Sequence, residues 1–322
     1  MNKETNQEAT PTPSTSEQLE AQWKHIGLKY SKLFSRGFIG KGVTMANVVN
    51  VREADTILEV ACGDGSISAE LCLMKKEGAK LICSDLSGLM CQIAYLKLSE
   101  LLELKSQPGG LFQLQDKLSK KAIGTCKQEE DFEKGQKKEI PGLNAEVIQA
   151  NAEDLSVIQS SSVDVYFASL CLSLVEDPQK MLSEAYRVLK PSGRAIFSIA
   201  GSKELAYIHK EMPKLYKEYG VEIPPKRDAF YMNDREKTIG ILEEAGFQNV
   251  LAWRQFLPFL FTTEEKVDYL VGEYFYGPFK KACPEKVDEM VEKYSKALKG
   301  VLKEKHQPLG FEALILMGEK KA

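Results

Sequence analysis

The segment Thr56-Ile57-Leu58-Glu59-Val60-Ala61-Cys62-Gly63-Asp64-Gly65-Ser66 decides the fold. The run TILEVA (56–61) is β-branched and apolar, as strands buried on both faces of a parallel sheet are. It stops at CGDGS, and residues 66–77 then read as a helix. A strand entering a helix through a Gly-rich turn is the start of a βαβ unit. Gly63 and Gly65 carry no Cβ, so the turn can take positive φ and let a ligand approach the backbone. The helix opening near Ser66 offers free N–H groups to a polar or anionic group of that ligand. Taken alone, the turn suits several nucleotide cofactors, nicotinamides included.

Reading outward, the same alternation continues. AKLICSD (79–85) reads as a strand, 87–104 as a helix, and EVIQAN (146–151) and SVDVYFAS (162–169) as strands. Residues 178–190 form a helix that Pro191 and Gly193 stop, and RAIFSIA (194–200) follows as a strand. Such alternation implies right-handed crossovers and a parallel, doubly wound sheet. Beyond it, 203–219 and 234–245 read as helices, and 247–256 and 311–319 as the last two of seven strands. Ahead of it, residues 17–35 place Leu19, Trp23, Ile26, Tyr30 and Leu33 at helical spacing, and 43–50 reads as a shorter helix. Asp85 ends the second strand some twenty residues after the turn. A carboxylate there can accept both hydroxyls of a ribose, or equally cap the helix of LSGLM.

Two stretches break the pattern. Residues 105–143 are rich in Lys, Glu, Gln and Gly and read as a surface insertion, partly disordered or helical. Their mixed charge argues against a nucleic-acid patch, as does the chain's net charge of −3. Residues 258–309 read as a helical insertion, a lid or a dimer contact. Tyr207, Phe230, Tyr231, Phe256, Phe259, Phe261, Tyr274, Phe275, Tyr276 and Phe279 concentrate in this C-terminal third. Aromatics at that density pack an insertion onto the core or line an apolar pocket. Residues 1–16 read as a disordered tail without a secretory h-region, and the domain as 17–322. No apolar run reaches the length of a membrane span, and the cytoplasm is the expected location. The seven cysteines (Cys62, Cys72, Cys83, Cys91, Cys126, Cys171 and Cys283) form no CxxC pair, and none has a His at ligand spacing. They read as free thiols, with no metal site.

Four blocks resemble the class I S-adenosylmethionine-dependent methyltransferases, in particular the ubiquinone/menaquinone-biosynthesis-like (methyltransferase type 11) subgroup. ILEVACGDGS is similar to that family's first motif. CSDLS resembles its acidic block, and QANAEDLS its GDAEDLPF segment. VDVYFASLCLSLVEDPQKMLSEAYRVLKPSGRAIFSI resembles its fourth strand, helix and fifth strand. The likeness covers roughly residues 50–200 and AGFQNV (245–250). It implies a Rossmann-like, seven-stranded methyltransferase fold and S-adenosyl-L-methionine as cofactor. By position it places Glu59, Ala61, Gly63 and Gly65 around the methionine end. Asp85 falls on the ribose, Leu86 beside the adenine, and Asn151 and Ala152 at its amino edge. Ser169 and Leu170 lie beside the methionine and the acceptor.

Three positions depart from the family pattern. Ala61 replaces Gly, Asn151 replaces Asp, and Ser173-Leu174 replace a frequent His-His pair. Methyl transfer needs alignment and exclusion of water, and a general base only where the nucleophile arrives protonated. Tyr30, His25 and His209 are the candidates for that base. The expected activity is methyl transfer to a small, partly apolar acceptor. The alternatives are a protein or RNA acceptor, or a non-catalytic methyltransferase-like binding subunit.

Overall fold

The computed structural model describes residues 15–105, 132, 135–222 and 228–322. The expected tail before Thr15, most of the 105–143 insertion and Cys126 lie outside them. Two helices, α1 (Thr15–Leu33) and α2 (Ser35–Val48), precede a single sheet. Its strands are β1 (Thr56–Val60), β2 (Lys80–Asp85), β3 (Lys137–Ile140), β4 (Ala145–Gln149), β5 (Val163–Ser169), β6 (Leu189–Ala200), β7 (Gln248–Pro258) and β8 (Gly310–Glu319). They lie in the order β3-β4-β2-β1-β5-β6-β8-β7. The central pairs β4/β2, β2/β1, β1/β5 and β5/β6 are parallel, whereas β3/β4, β6/β8 and β8/β7 are antiparallel. The parallel core is wound both ways from β1, which puts the topological switch between β1 and β5.

The sheet therefore has eight strands rather than the expected seven. The additional strand is β3, in the C-terminal end of what the sequence presents as an insertion. Its residues KKEI show no apolar alternation, because an edge strand is solvated. Lys137 pairs with Glu139 at 2.9 Å and with Glu146 of β4 at 3.2 Å, so charge pairing holds this edge and also blunts it. Asn144, at φ 46°, makes the tight return into β4.

The helices are α3 (Ser66–Met74), α4 (Gly88–Lys105), α5 (Pro178–Val188), α6 (Tyr207–Glu218), α7 (Arg235–Glu244), α8 (Glu264–Leu270), α9 (Tyr276–Ala282) and α10 (Val287–Glu304). A wide turn at Val271–Phe275 joins α8 to α9. Helix α2 starts eight residues earlier than its apolar pattern predicts, because Gly37, Gly40 and Gly42 mask it. At Gly42 a Cβ would stand 2.8 Å from Ile67 Cγ1, so glycine is what lets α2 press against α3. Helix α5 begins at an Asp177 cap that accepts from the N–H of Gln179 at 2.9 Å and has Pro178 in its first turn. It ends at Val188, two residues before the expected stop, because the residue ahead of Pro191 already favours extended backbone. Residues 203–219 divide into a short 3-10 turn (Lys203–Leu205) and α6.

Apolar residues fill both faces of the sheet. One face packs against α2, α3, α4 and the 264–304 helices, through Leu71, Leu98, Val271, Phe279 and Leu298. The other packs against α5 and α7, through Met181, Leu182, Ala185 and Leu242. Among the described residues no helix is long and apolar enough to cross a membrane.

Candidate active site

At the carboxyl ends of β1, β2, β4 and β5 a cavity of about 440 Å³ opens. Its first wall is the sheet edge itself. Ala61 and Gly63 follow β1, Asp85 and Leu86 end β2, Asn151 and Ala152 follow β4, and Ser169 and Leu170 end β5. Three of these depart from ordinary backbone: Ala61 (φ 50°), Gly63 (φ 56°) and Leu170 (φ 55°) all take the left-handed conformation. For Ala and Leu this costs on the order of 1 kcal/mol each, and it turns the chain sharply away so that the strand ends face open space. A Cβ built on Gly63 meets nothing within 4 Å, so the backbone there is bare to the cavity.

Of the ten residues that the sequence places around a cofactor, eight share this wall, and Glu59 and Gly65 stand behind it. Gly65 (φ 73°) faces α4, where a Cβ would lie 2.9 Å from the Ala94 Cα. Its glycine is thus demanded by helix packing rather than by a ligand. Glu59 is 1% exposed beneath the turn, where it accepts from Ser68 Oγ at 2.5 Å. Burial drives its carboxyl up to about 8, helped by Asp64 and Asp85 and opposed by the Ser68 hydroxyl and Lys41.

Asp85 fills the capping role, one of the two that the sequence left open, and also braces the Gly-rich turn. One oxygen accepts from the Ser87 N–H at 2.9 Å at the head of α4, and the other from the Gly63 N–H at 2.8 Å. The second bond ties the end of β2 to the Gly-rich turn and holds the carboxylate on the cavity wall. Burial raises its carboxyl to about 6 against those backbone donors.

Asp64, in the middle of the turn, faces inward. It accepts from Lys97 Nζ at 2.6 Å, from Ser31 Oγ and from the Ser66 N–H at 3.1 Å, and Lys97 also donates to Ser66 Oγ at 2.8 Å. Burial alone would raise this carboxyl; Lys97 and the hydroxyl donors outweigh it and hold it below the usual carboxylate range. One carboxylate therefore joins α1, the turn and α4. The start of α1 is anchored separately, by Glu20 accepting from Gln149 Nε2 at 2.9 Å and by Asn151 Nδ2 donating to Ser16 Oγ at 3.4 Å. Ser16, placed in the tail by its composition, is a helical residue on the cavity wall. The Asn151 and Ala152 loop is held from behind by the most family-like block. Arg187 donates to the carbonyls of Leu155 (2.8 Å) and Ile158 (3.0 Å), and Glu184 accepts from the Leu155 N–H at 2.6 Å.

The opposite wall is aromatic. Trp23, Tyr30, Phe34 and Phe38 come from α1 and α2, Phe230 from the loop before α7, and Phe259, Tyr274, Phe275 and Phe311 from β7 onward. Phe34 meets Tyr274 edge-on at 5.0 Å and Phe259 at 5.4 Å, and Phe38 meets Phe311 at 5.7 Å. So four of the ten C-terminal aromatics picked from sequence line the cavity. Phe261 and Phe279 are core, and Tyr231 and Tyr276 are exposed. Ser173 and Leu174, in place of two histidines, are also on the wall.

The proposed bases separate in space. His25 is exposed on α1, away from the cavity. His209 stands at the mouth: exposed by area, yet with its ring edge-on to Phe230 at 5.6 Å. That crowding lowers its basicity, against the opposing effect of Asp228. Tyr30 lines the cavity beside Trp23 at 5.1 Å, and burial with Asp64 nearby pushes its phenol far above its ordinary value. Four of the described cysteines are poor nucleophiles, since burial pushes the Cys62, Cys83, Cys91 and Cys171 thiols well up. Lys41 escaped sequence analysis altogether. It is 1% exposed on α2 and reaches under the wall to Ser169 and Ser198. A lone Lys in a Gly-rich helix gives no sign of burial. Among the described residues no group of three or more His, Cys, Asp or Glu is arranged to hold a metal ion.

Comparison with known proteins bears on this arrangement. The methyltransferase-domain family (Methyltransf_11) matches residues 107–197. The ubiquinone/menaquinone biosynthesis C-methyltransferase UbiE of Vibrio cholerae is 33% identical over 121 residues, which is 33% of this chain and 45% of that protein. UbiE of Klebsiella pneumoniae is 26% identical over 216 residues, 62% of this chain and 69% of that one. The chain thus spans about half the length of the first curated relatives it matches. Phosphoethanolamine N-methyltransferase 2 of Haemonchus contortus, solved with S-adenosyl-L-methionine, superposes with a TM-score of 0.51 at 15% identity, over 97% of this chain and 61% of that one. That likeness establishes a shared fold.

Proposed function

We propose that this chain is a class I S-adenosylmethionine-dependent methyltransferase of the UbiE-like type and that it methylates a small, partly apolar acceptor. The observation that carries the proposal is a single cavity with two unlike walls. One wall is a polar sheet edge with a buried carboxylate beside bare glycine backbone; the other is aromatic. The donor set fits S-adenosyl-L-methionine. Asp85 would accept from the ribose hydroxyls, and Ala61 and Gly63 would border the methionine end. Leu86, Asn151 and Ala152 would surround the adenine, and Ser169 and Leu170 would stand where acceptor and cofactor meet. Glu59 and Gly65 would shape the turn from behind. When bound, the cofactor supplies an activated methyl group for in-line displacement.

The protein's own contribution is enclosure and alignment. Helix α1 lies across the sheet edge, and the aromatic side chains exclude water from the remaining space. A concave, largely apolar cavity of this kind favours a small molecule over a protein or RNA acceptor, which needs an open, charged approach. A cytoplasmic place of action belongs to the same proposal. Calorimetric titration with S-adenosylmethionine and S-adenosylhomocysteine tests it, followed by acceptor screening with labelled methyl groups. Micromolar binding of both ligands is expected. Binding of neither would remove the proposal and leave the non-catalytic reading.

A further inference from the structure

We propose that Lys41, acting through the Ser169 hydroxyl, takes up the proton that the acceptor loses on methylation. The inference rests on the methyltransferase reading and deepens it: the acceptor is then one whose nucleophilic oxygen or nitrogen arrives protonated, such as a phenol.

The geometry is a short chain running from the core to the cavity. Lys41 Nζ lies 2.7 Å from Ser169 Oγ and 2.9 Å from Ser198 Oγ. Ser198 Oγ also accepts from the Leu170 N–H at 3.0 Å, which fixes it as an anchor. Ser169 stands on the cavity wall, half-buried, and Lys41 does not. Ser169 is therefore the link between the amine and an acceptor. Among the described residues no carboxylate pairs directly with Lys41. An ammonium held by two hydroxyls is a costly thing to bury, whereas an apolar chain of the same length would fill the space without penalty. The amine is thus poised to exist without its proton.

The groups facing it pull in opposite directions. Its own helix presents the Phe38 ring, 5.4 Å from Nζ. Strand β1 presents Glu59, whose charge favours the ammonium, and β5 and β6 present only hydroxyls. Burial outweighs Glu59 and brings the amine down to about 7, within reach of neutral pH. The neutral amine has two N–H groups and one lone pair. It can donate to Ser198 and accept from Ser169, and a 2.7 Å separation serves either direction. The acceptor's X–H bond breaks as its proton passes to Ser169 Oγ, and the Ser169 proton passes to the Nζ lone pair. The X–H electron pair stays on X as the nucleophile. Net transfer of a methyl cation to X–H leaves one proton over, and this relay gives it a place. Tyr30 keeps its own proton, because burial and Asp64 raise its phenol far above the ordinary value, and His209 opens to solvent at the mouth.

The test uses the full chain saturated with S-adenosylhomocysteine, and 4-nitrophenol as a phenol whose anion absorbs visible light. In the wild type the bound phenol is expected to ionise about one pH unit below its free value, a roughly tenfold shift in the ionisation ratio. Lys41→Met and, independently, Ser169→Ala should each return it to the free value. Calorimetry first fixes each variant's own affinity for S-adenosylhomocysteine, and each phenol titration is run at a concentration that saturates that variant. Should Lys41→Met fold poorly, the Ser169→Ala arm carries the test alone. The relay is overturned by equal ionisation of bound and free phenol, by a shift that survives either substitution, or by a cavity that binds no phenol. Failure of the wild type to bind S-adenosylhomocysteine removes the methyltransferase reading itself, and the relay with it.

Discussion

The two walls of the cavity are built by different physical means. The sheet wall is made of strand ends and turns. Its precision comes from backbone geometry and from one buried ion pair, Asp64–Lys97, that holds the turn to its neighbours. The facing wall is made of rings from α1, α2 and the residue that joins them, from the loop before α7, from the insertion between β7 and β8, and from β8. Its shape comes from edge-to-face packing, which tolerates exchange of one apolar group for another of similar volume. The first wall is suited to an invariant ligand and the second to a selectable one. A fold that keeps the former and varies the latter changes its acceptor without losing its cofactor.

The comparison breaks most directly at the footing of the sheet wall. Lys97→Met leaves Asp64 charged and unpaired in the core, so chemical denaturation should show a loss of about 3–5 kcal/mol. A loss under 1 kcal/mol would mean that the turn is held by its backbone alone. Next in size, Asp85→Ala should weaken calorimetric binding of S-adenosylhomocysteine by roughly 10- to 100-fold, the value of hydrogen bonds to a charged group. Phe259→Leu, on the facing wall, should leave that affinity within about threefold and instead change which acceptors are methylated. Equal effects of the two substitutions on cofactor affinity would erase the distinction between the walls.

A pH series sharpens the same point. On the proposed reading, ribose hydroxyls donate to an ionised Asp85, so ligand binding favours the deprotonated form, and protons compete with it. Burial holds this carboxyl near 6. Affinity for S-adenosylhomocysteine should therefore be flat above pH 7 and fall by up to about tenfold per unit below pH 6. Asp85→Asn should abolish that slope. The smallest expected effect is at Ala61. Glycine adopts its left-handed backbone (φ 50°) without a Cβ clash, so Ala61→Gly should raise stability by about 1 kcal/mol, less the added entropy of the unfolded chain. A clear destabilisation would show that the Ala61 methyl packs on the wall.

These walls were unequally legible in sequence. The sheet wall follows from local rules: apolar runs give strands, glycines give turns, and a carboxylate at a strand end faces the ligand. Gly63 and Asp85 could be read in that way, whereas Ala61, Leu86, Asn151, Ala152, Ser169 and Leu170 were placed only by what the family resemblance implies. What escaped on that side was local conflict. Gly65 looks like a second bare backbone site, yet the Ala94 contact that requires it is made by a helix thirty residues away. Strand β3 was hidden because charges, not apolar alternation, stabilise an edge. The aromatic wall has no such local signature. Phe259 and Phe279 are alike in sequence, and only the packing of the insertion decides that one meets the cavity and the other the core. Lys41 is the extreme case: its burial depends on β5 and β6, which lie more than a hundred residues downstream.

The strand order has a consequence for how the site comes into being during synthesis. Strand β8 lies between β6 and β7, so β7 has no sheet partner until residues 310–319 have left the ribosome. Phe311, on the aromatic wall, arrives with the same strand. A nascent chain can therefore assemble the sheet wall from β1 to β6 while the space opposite is bounded only by the rings that precede β1 and by Phe230. The sheet wall is ready early, and the aromatic enclosure is completed last.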